Sequence, residues 1–415
     1  MTKFYELTTA ERLAQLVAEG SLSPEDAALL QQATALPADV ASHLSENQIG
    51  QFTLPLGLVR NLPVNGTLHQ VAMATEEPSV VAAASNGARL AGLNGGVQAT
   101  AAPHRVVAEV VFADLSDLTA AQGVLKAHEA ELFQVAQAAH PSIVKRGGGL
   151  KQVTTTVVDR FLKLRLLIDP SQAMGANISN TIAEAVAAAA GAWLDQPALV
   201  AILTNASAQL TTATVTLDPA TLATKHEAGA VIAQRIAALS DLAHVDPERA
   251  ATHNKGIMNG IEAAVLATGN DTRAVAAAVS AYSHERPLST WTLVEGQLKG
   301  KISLPLPVGV VGGAISALPL APVALRLGGF QTVATLQEAL AALGLVQNLA
   351  ALRALAGPGI QAGHMALQAN ALAMAAGAQG EEITLVAAAL QGERKELAVA
   401  KRLLTQLRTK AGKNQ

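Results

Sequence analysis

The chain contains no cysteine in its 415 residues. Disulfides, thiolate nucleophiles and cysteine-ligated zinc are excluded at once, and the absence suits a cytoplasmic protein. Aromatic residues make up only 2%, which favours closely packed helices and sheet over an aromatic recognition surface. Charge of one sign is also missing. Lys and Arg number 29 against 32 Asp and Glu, with no long basic or acidic block. A nucleic-acid or anionic-membrane partner requires a basic footprint that this chain does not carry. The ten histidines are scattered and no metal-ligand spacing occurs, so no metal is expected. Neither GxGxxG nor GxxxxGK[ST] is present, which removes the Rossmann fingerprint and the P-loop. The N-terminus places Glu6, Glu11 and Arg12 where a signal peptide needs an apolar stretch. It reads instead as a helix beginning near Thr8 or Thr9.

Apolar residues, by contrast, are plentiful at 50%, enough for two or three domain cores. Residues 302–325 carry no charge and are long enough to span a bilayer. They hold Pro305, Pro307, Pro319 and Pro322 with Gly309, Gly312 and Gly313, and four prolines would leave backbone groups unpaired in lipid. A Gly-rich turn between strands and a helix is expected there. Residues 1–104 mix helical stretches with turns. The texture then changes. Residues 105–115 read as a strand, 116–140 as one long amphipathic helix capped by Ser116 or Asp117, and 151–169 as two β-rich runs turning near Asp159 and Arg160. Residues 177–194 read as a helix and 198–218 as strands. That order is the split, ferredoxin-like βαββαβ arrangement.

The expected fold is therefore α+β. A large Ala-rich, mixed domain (1–102 and 209–357) would carry an inserted small domain (103–208), and a helical tail (358–415) would follow a hinge at Gly357-Pro358-Gly359.

Several segments could carry chemistry. The strand ending at Asp169 runs through PSQAMGANISN into a helix, offering N–H groups and the positive dipole end to an anion. Gly175 would let backbone approach a ligand. Lys255, in THNKGIMNG, could face a developing oxyanion; its plainer reading is an exposed lysine near a helix start. In TGNDTR, Gly269 reads as the end of one helix and Asn270 or Asp271 as the cap of the next. Beside Lys255, Asp271 would also keep the ammonium charged. Glu77, followed by Pro78, reads as a helix-start glutamate, and proton donation would require burial to raise its pKa against the helix dipole. His364 follows the glycine hinge, where a mobile tail could swing it over a site.

Taken together and in this order, nine segments resemble the class II 3-hydroxy-3-methylglutaryl-coenzyme A reductases: ENQIG (46–50), LPLGLVRN (54–61), EEPSVVAAASNGAR (76–89), AMGAN (173–177), RAATHNKGIMNG (249–260), ATGND (267–271), PVGVVGGA (307–314), GLVQNLAALRAL (344–355) and GIQAGHMAL (359–367). The resemblance implies catalytic roles for Glu77, Lys255, Asp271 and His364. It implies substrate binding by Ser79, Arg249, Asn259, Asn205 and Gln347, and cofactor binding around His140, Lys145, Arg146, Gln172, Met174, Gly175 and Asn177. It further implies a two-step reduction of the thioester to mevalonate and free coenzyme A, a tail that closes over the site, and a homodimer in which ENQIG is a dimer-associated segment. The family usually reads DAMG where this chain reads QAMG at Gln172, so a charge is lost beside the cofactor. NAD-preferring relatives place an acidic residue near the position of His140. Lys145 and Arg146 lie close by instead, which points to NADPH over NADH. The rival readings are catabolic, NAD-linked oxidation of mevalonate and a coenzyme A-binding paralogue without turnover.

Overall fold

The computed structural model describes residues 3–32, 36–357 and 369–411. A 3-10 turn at Phe4–Glu6 leads to α1 (Thr9–Ala18), α2 (Pro24–Gln32) and α3 (Ala38–Leu44). Thr8 caps α1 and forms a reciprocal capping box with Glu11, where the sequence placed the helix start. Then come β1 (Leu56–Val64), β2 (Thr67–Ala74), α4 (Val80–Gly92) and β3 (Gln98–Ala101). The middle of the chain forms β4 (Val106–Phe112), α5 (Leu118–Ala127), α6 (Glu129–Ala139), α7 (Pro141–Lys145), β5 (Gly149–Val158), β6 (Phe161–Asp169), α8 (Ala176–Leu194) and β7 (Val200–Thr204). It continues through β8 (Leu210–Leu217), α9 (Gly229–Val245), α10 (Pro247–Ala267), α11 (Thr272–Ser283), β9 (Ser289–Val294), β10 (Gln297–Pro305), α12 (Leu320–Gly328) and α13 (Val333–Ala356). Beyond them, residues 369–375, Glu381–Ala389 and Leu397–Ala411 are helical.

The strands of the described residues form three antiparallel sheets, and two of them position the site. One has the order β5-β6-β4-β7. In order along the chain its strands are second, third, first and fourth, which is the ferredoxin-like pattern. Alternate residues of β6 (Leu162, Leu164, Leu166, Ile168) are fully buried. They join Phe112 of β4 and Ile182 and Val186 of α8 in one core. The other sheet, β3-β8-β10-β9, belongs to a larger core with α4, α9, α10 and α13.

α13 is the axis of that larger core. It is apolar on every side, as a helix must be when its surroundings are apolar. Among the described helices it alone is long and apolar enough to cross a membrane, yet 78% of its most apolar stretch lies buried inside the fold. α4 crosses it at Gly87, where a Cβ would stand 2.1 Å from the Val346 carbonyl oxygen.

Three expectations change. The helix expected over 116–140 breaks at His128, whose ring leaves the helical path to stack on Trp193 at 4.4 Å between centroids. The hairpin β1–β2 occupies a stretch read as helices and turns, and β9–β10 lies in the Ala-rich stretch 209–357, where no hairpin was assigned. Both hairpins turn on a residue of positive φ followed by Gly, Asn65-Gly66 and Glu295-Gly296, and the first is a strong hairpin signal in sequence.

Candidate active site

Two facing elements build the reactive cluster. α10 begins at Asp246-Pro247-Glu248, with the Asp246 carboxylate capping the Glu248 amide. Lys255 is therefore in the middle of the helix, not near its start, with Asn259 one turn further on. The loop from β2 to α4 carries Glu77. Its Oε2 accepts from Lys255 Nζ at 2.8 Å and its Oε1 from Asn259 Nδ2 at 3.5 Å. The pair is open to solvent, Lys255 61% and Glu77 41% exposed, so a substrate can reach it. Glu77 precedes α4 rather than sitting in its first turn. Its N–H donates to Thr75 Oγ, and Ser79 holds the N-cap position with φ 79°. A serine in the left-handed region is a strained cap, a feature that concentrates at functional sites.

Three of the residues implied in substrate binding carry buried polar atoms without partners: Ser79 Oγ, Arg249 Nε and Gln347 Oε1. Leaving such an atom unpaired costs about 1–3 kcal/mol, and a bound acid or hydroxyl would satisfy it. Orphans elsewhere, such as Gln70 Oε1 and Ser179 Oγ, make the trait suggestive only where it clusters. Gln347, on α13, packs against α10 at Gly260, where a Cβ would meet its Oε1 at 2.9 Å. It thus borders the residue next to Asn259. Further along α10, burial raises the Glu262 carboxyl above its ordinary range, opposed by the charge of Lys255.

Asp271 caps α11, accepting from the Arg273 and Ala274 amides at 2.9 and 3.1 Å. Its nearest cation is Arg273 at 3.4 Å. Glu77, not Asp271, is hydrogen-bonded to Lys255 here, and Asp271 Oδ1 is engaged by the start of its own helix. His364 lies outside the described residues.

The residues implied in cofactor binding fall into two groups. A cleft of about 410 Å³ is lined by Arg105, Arg146, Gly147, Gly148, Asp169 and Gln172, with the start of α13. An adjoining narrow crevice of about 20 Å³ brings Met174 and Asn205 together. His104, Arg105 and Gln337 border both. Arg105 is paired with Asp169 at 2.5 Å; Arg146 is the other cation lining the cleft, and Lys151 donates to the Gly147 and Gly148 carbonyls of the glycine turn at 2.8 and 3.4 Å. Lys145, His140 and Asn177 are not among the lining residues. Lys145 ends α7 on the surface, His140 Nδ1 sits 3.3 Å from Ser142 Oγ, and Asn177 is exposed in the first turn of α8. Gly175 has φ 107°, and a Cβ there would stand 2.7 Å from Pro170 Cβ. Its bareness therefore serves the close packing of loop on strand as well as any ligand.

Gln172 uses its side chain differently from an open ligand group. Its Oε1 accepts from the Val333 amide at 2.8 Å, satisfying one of the free N–H groups at the start of α13. Sequence reasoning passed over His104 and Gln337, and took Asn270 only as a possible helix cap. His104 Nε2 donates to the Ala173 carbonyl at 2.9 Å, and burial lowers its pKa. His253, two residues before Lys255, is pushed down to about 4 by burial. Its Nε2 meets Ser289 Oγ at 2.7 Å, and Ser289 and the Trp291 indole both donate to Asn348 Oδ1. This buried chain ties the back of α10 to β9 and α13.

The fold and site define a two-core α+β oxidoreductase, with a lysine–glutamate pair in one part and a cationic, glycine-edged cleft beside the other. A sequence profile described as hydroxymethylglutaryl-coenzyme A reductase matches residues 8–369. The 3-hydroxy-3-methylglutaryl-coenzyme A reductase of Archaeoglobus fulgidus is 39% identical over 98% of this chain and 94% of its own length. A probable enzyme of the same name from Borreliella burgdorferi is 33% identical over 80% of this chain and 78% of its own. A structure of the Streptococcus pneumoniae reductase superposes with a TM-score of 0.83 at 38% identity, covering 97% of this chain and 99% of that one. A class II structure from the same organism, bound to NADPH in open conformations, gives 0.81 at 38% identity over 85% and 98%. The chain belongs to the hydroxymethylglutaryl-coenzyme A reductase family.

Proposed function

We propose that this chain reduces (S)-3-hydroxy-3-methylglutaryl-coenzyme A to (R)-mevalonate and free coenzyme A, in isoprenoid synthesis, with NADPH as the preferred reductant. The observation that carries the reading is the cluster of Glu77, Lys255 and Asn259, with contacts of 2.8 and 3.5 Å. Two molecules of NADPH, bound one after the other, would supply one hydride each. The cleft suits its phosphates, because Arg146 and the glycine turn face it while Asp169 is already neutralised by Arg105.

Each remaining need of the reaction is met by a side chain. Hydride addition to the thioester carbonyl places negative charge on oxygen, and the Lys255 ammonium stabilises it. Glu77, hydrogen-bonded to that ammonium, orients it and exchanges the proton of the oxygen at the aldehyde stage. Asp271 joins the proton network from the α11 cap. Arg249 pairs with the free carboxylate of the substrate, and Ser79, Asn259, Gln347 and Asn205 hydrogen-bond its polar groups. The departing thiolate must be protonated or it re-adds to the aldehyde, and this falls to His364. Gln172, Met174, Gly175 and Asn177 carry the cofactor loop, with His140 and Lys145 at its outer rim.

We further propose the division into a large domain (1–102 and 209–357), a small cofactor domain (103–208) and a closing tail (358–415), in a soluble cytoplasmic homodimer. The dimer is supported by the ENQIG stretch and the two residues after it, where Ile49 and Phe52 are 104% and 91% exposed. Large exposed apolar side chains so close together mark an interface.

The test is cofactor oxidation by purified protein with the thioester substrate, NADPH and NADH in parallel, beside Lys255→Ala. Turnover faster with NADPH and abolished in the variant is expected. A higher specificity constant with NADH overturns the cofactor choice, and ordinary turnover by Lys255→Ala overturns the site.

A further inference from the structure

Asn270 stands immediately before Asp271, buried, and its side chain does not point at the reactive cluster. It grips a distant glycine instead. The Gly309 amide donates to Asn270 Oδ1 at 2.7 Å, and Asn270 Nδ2 donates back to the Gly309 carbonyl at 3.0 Å. Nδ2 also reaches Thr268 Oγ at 3.1 Å. Both backbone groups of one residue are thus held by one side-chain amide, as a strand would hold them.

Gly309 in turn carries the cofactor loop. A Cβ on Gly309 would stand 2.3 Å from the Met174 amide nitrogen and 2.8 Å from the Ala173 carbonyl carbon, so only glycine admits this contact. The next residue, Val310, donates its amide to the Gln172 carbonyl at 2.9 Å, and Ala173 forms a parallel bridge with Val311. His104 takes the Ala173 carbonyl from the other side. The chain of contacts is short and entirely covalent or hydrogen-bonded: Asp271, Asn270, Gly309–Val311, then Gln172–Met174.

We infer that the Asn270–Gly309 clamp is a positioning device that sets the cofactor loop 172–174 at a fixed distance from the Asp271 cap, and so fixes the hydride donor relative to the proton network. Asn270 is a positioning residue; it acts through Gly309. Near-attack geometry is sensitive to displacements of about 1 Å, which cost roughly 100-fold in rate, and a shared rigid connection is the simplest way to hold two groups supplied by segments about a hundred residues apart. The inference rests on the reductase reading above, because it needs a nicotinamide cofactor on loop 172–174.

The test compares wild type with Asn270→Ala and the milder Asn270→Ser. It measures NADPH affinity by fluorescence titration, kcat with the thioester and with mevaldehyde, and the isotope effect with NADPH deuterated at the transferred position. Asn270→Ser is expected to weaken NADPH binding about tenfold, the loss expected for one orphaned buried partner. It should lower kcat roughly 100-fold with both substrates and raise the isotope effect, while KM for the thioester stays within twofold or so of wild type. A variant with a lowered melting temperature but wild-type NADPH affinity, kcat and isotope effect overturns the clamp and leaves a merely structural asparagine. Wild-type protein that neither binds NADPH nor turns over sinks the functional reading, and the clamp with it. Should Asn270→Ala not fold, Asn270→Ser and Gly309→Ala decide the matter by the same readouts.

Discussion

Asp271 has two duties that one substitution separates. As an N-cap it accepts from two amides, and asparagine caps as well as aspartate. Asp271→Asn should therefore keep the melting temperature while losing turnover. Asp271→Ala should lose turnover and about 1 kcal/mol of stability as well, read by urea unfolding. The cap was legible because TGNDTR follows helix-ending rules. The Glu77–Lys255 pair was not, since no local spacing links residues 178 positions apart; resemblance alone joined them. His253 makes a pH prediction. Burial lowers its pKa from 6.5 to about 4, so between those values the unfolded chain takes up a proton that the folded chain refuses. Stability then rises with pH across this window and is lost as pH falls from 6.5 toward 4, by up to about 3 kcal/mol. His253→Gln should flatten the dependence of the urea midpoint on pH in that range. An unchanged slope would refute this origin of the acid lability.

Elements were readable where periodicity or capping is local. Thr8 with Glu11, Asp117 and the β6 alternation each announce their element. The break at His128 was not readable, because it is made by a ring stacking on Trp193 from another helix. The same holds for Gly87. Nothing in NGAR says that α4 touches α13 there, but a Cβ 2.1 Å from the Val346 carbonyl oxygen cannot be accommodated without moving a helix. Gly87→Ala should cost about 1–3 kcal/mol or more, the reverse of its helix-propensity gain of nearly 1 kcal/mol. Thermal unfolding gives the sign directly. At the other end of α13, Gln172→Ala removes the acceptor for the Val333 amide and should cost roughly 1 kcal/mol.

At the scale of the whole molecule, the order of elements from 105 to 204 was enough to anticipate the β5-β6-β4-β7 sheet. Pairing of β3 with β8, and of β8 with β10, was not anticipated, because it joins strands separated by more than eighty residues through contacts that only the finished core specifies. The proposed dimer belongs to this scale. Phe52→Glu should shift the sedimentation mass to that of one chain and abolish turnover. A dimer of full activity in that variant would place the interface elsewhere.

Aromatic poverty has a practical side. The chain has two tryptophans, and each reports a different core. Trp291 is fully enclosed in the larger one, its indole N–H held by Asn348. Trp193 lies against the smaller one with its face on the His128 ring. Their surroundings differ enough for their light to differ. Emission from Trp291 should be blue and should redden only when the larger core opens. Emission from Trp193, only half-buried, should lie further to the red and should change when the smaller core opens. A single fluorescence cuvette, with no dye attached, can therefore follow the melting of the two cores as separate colours.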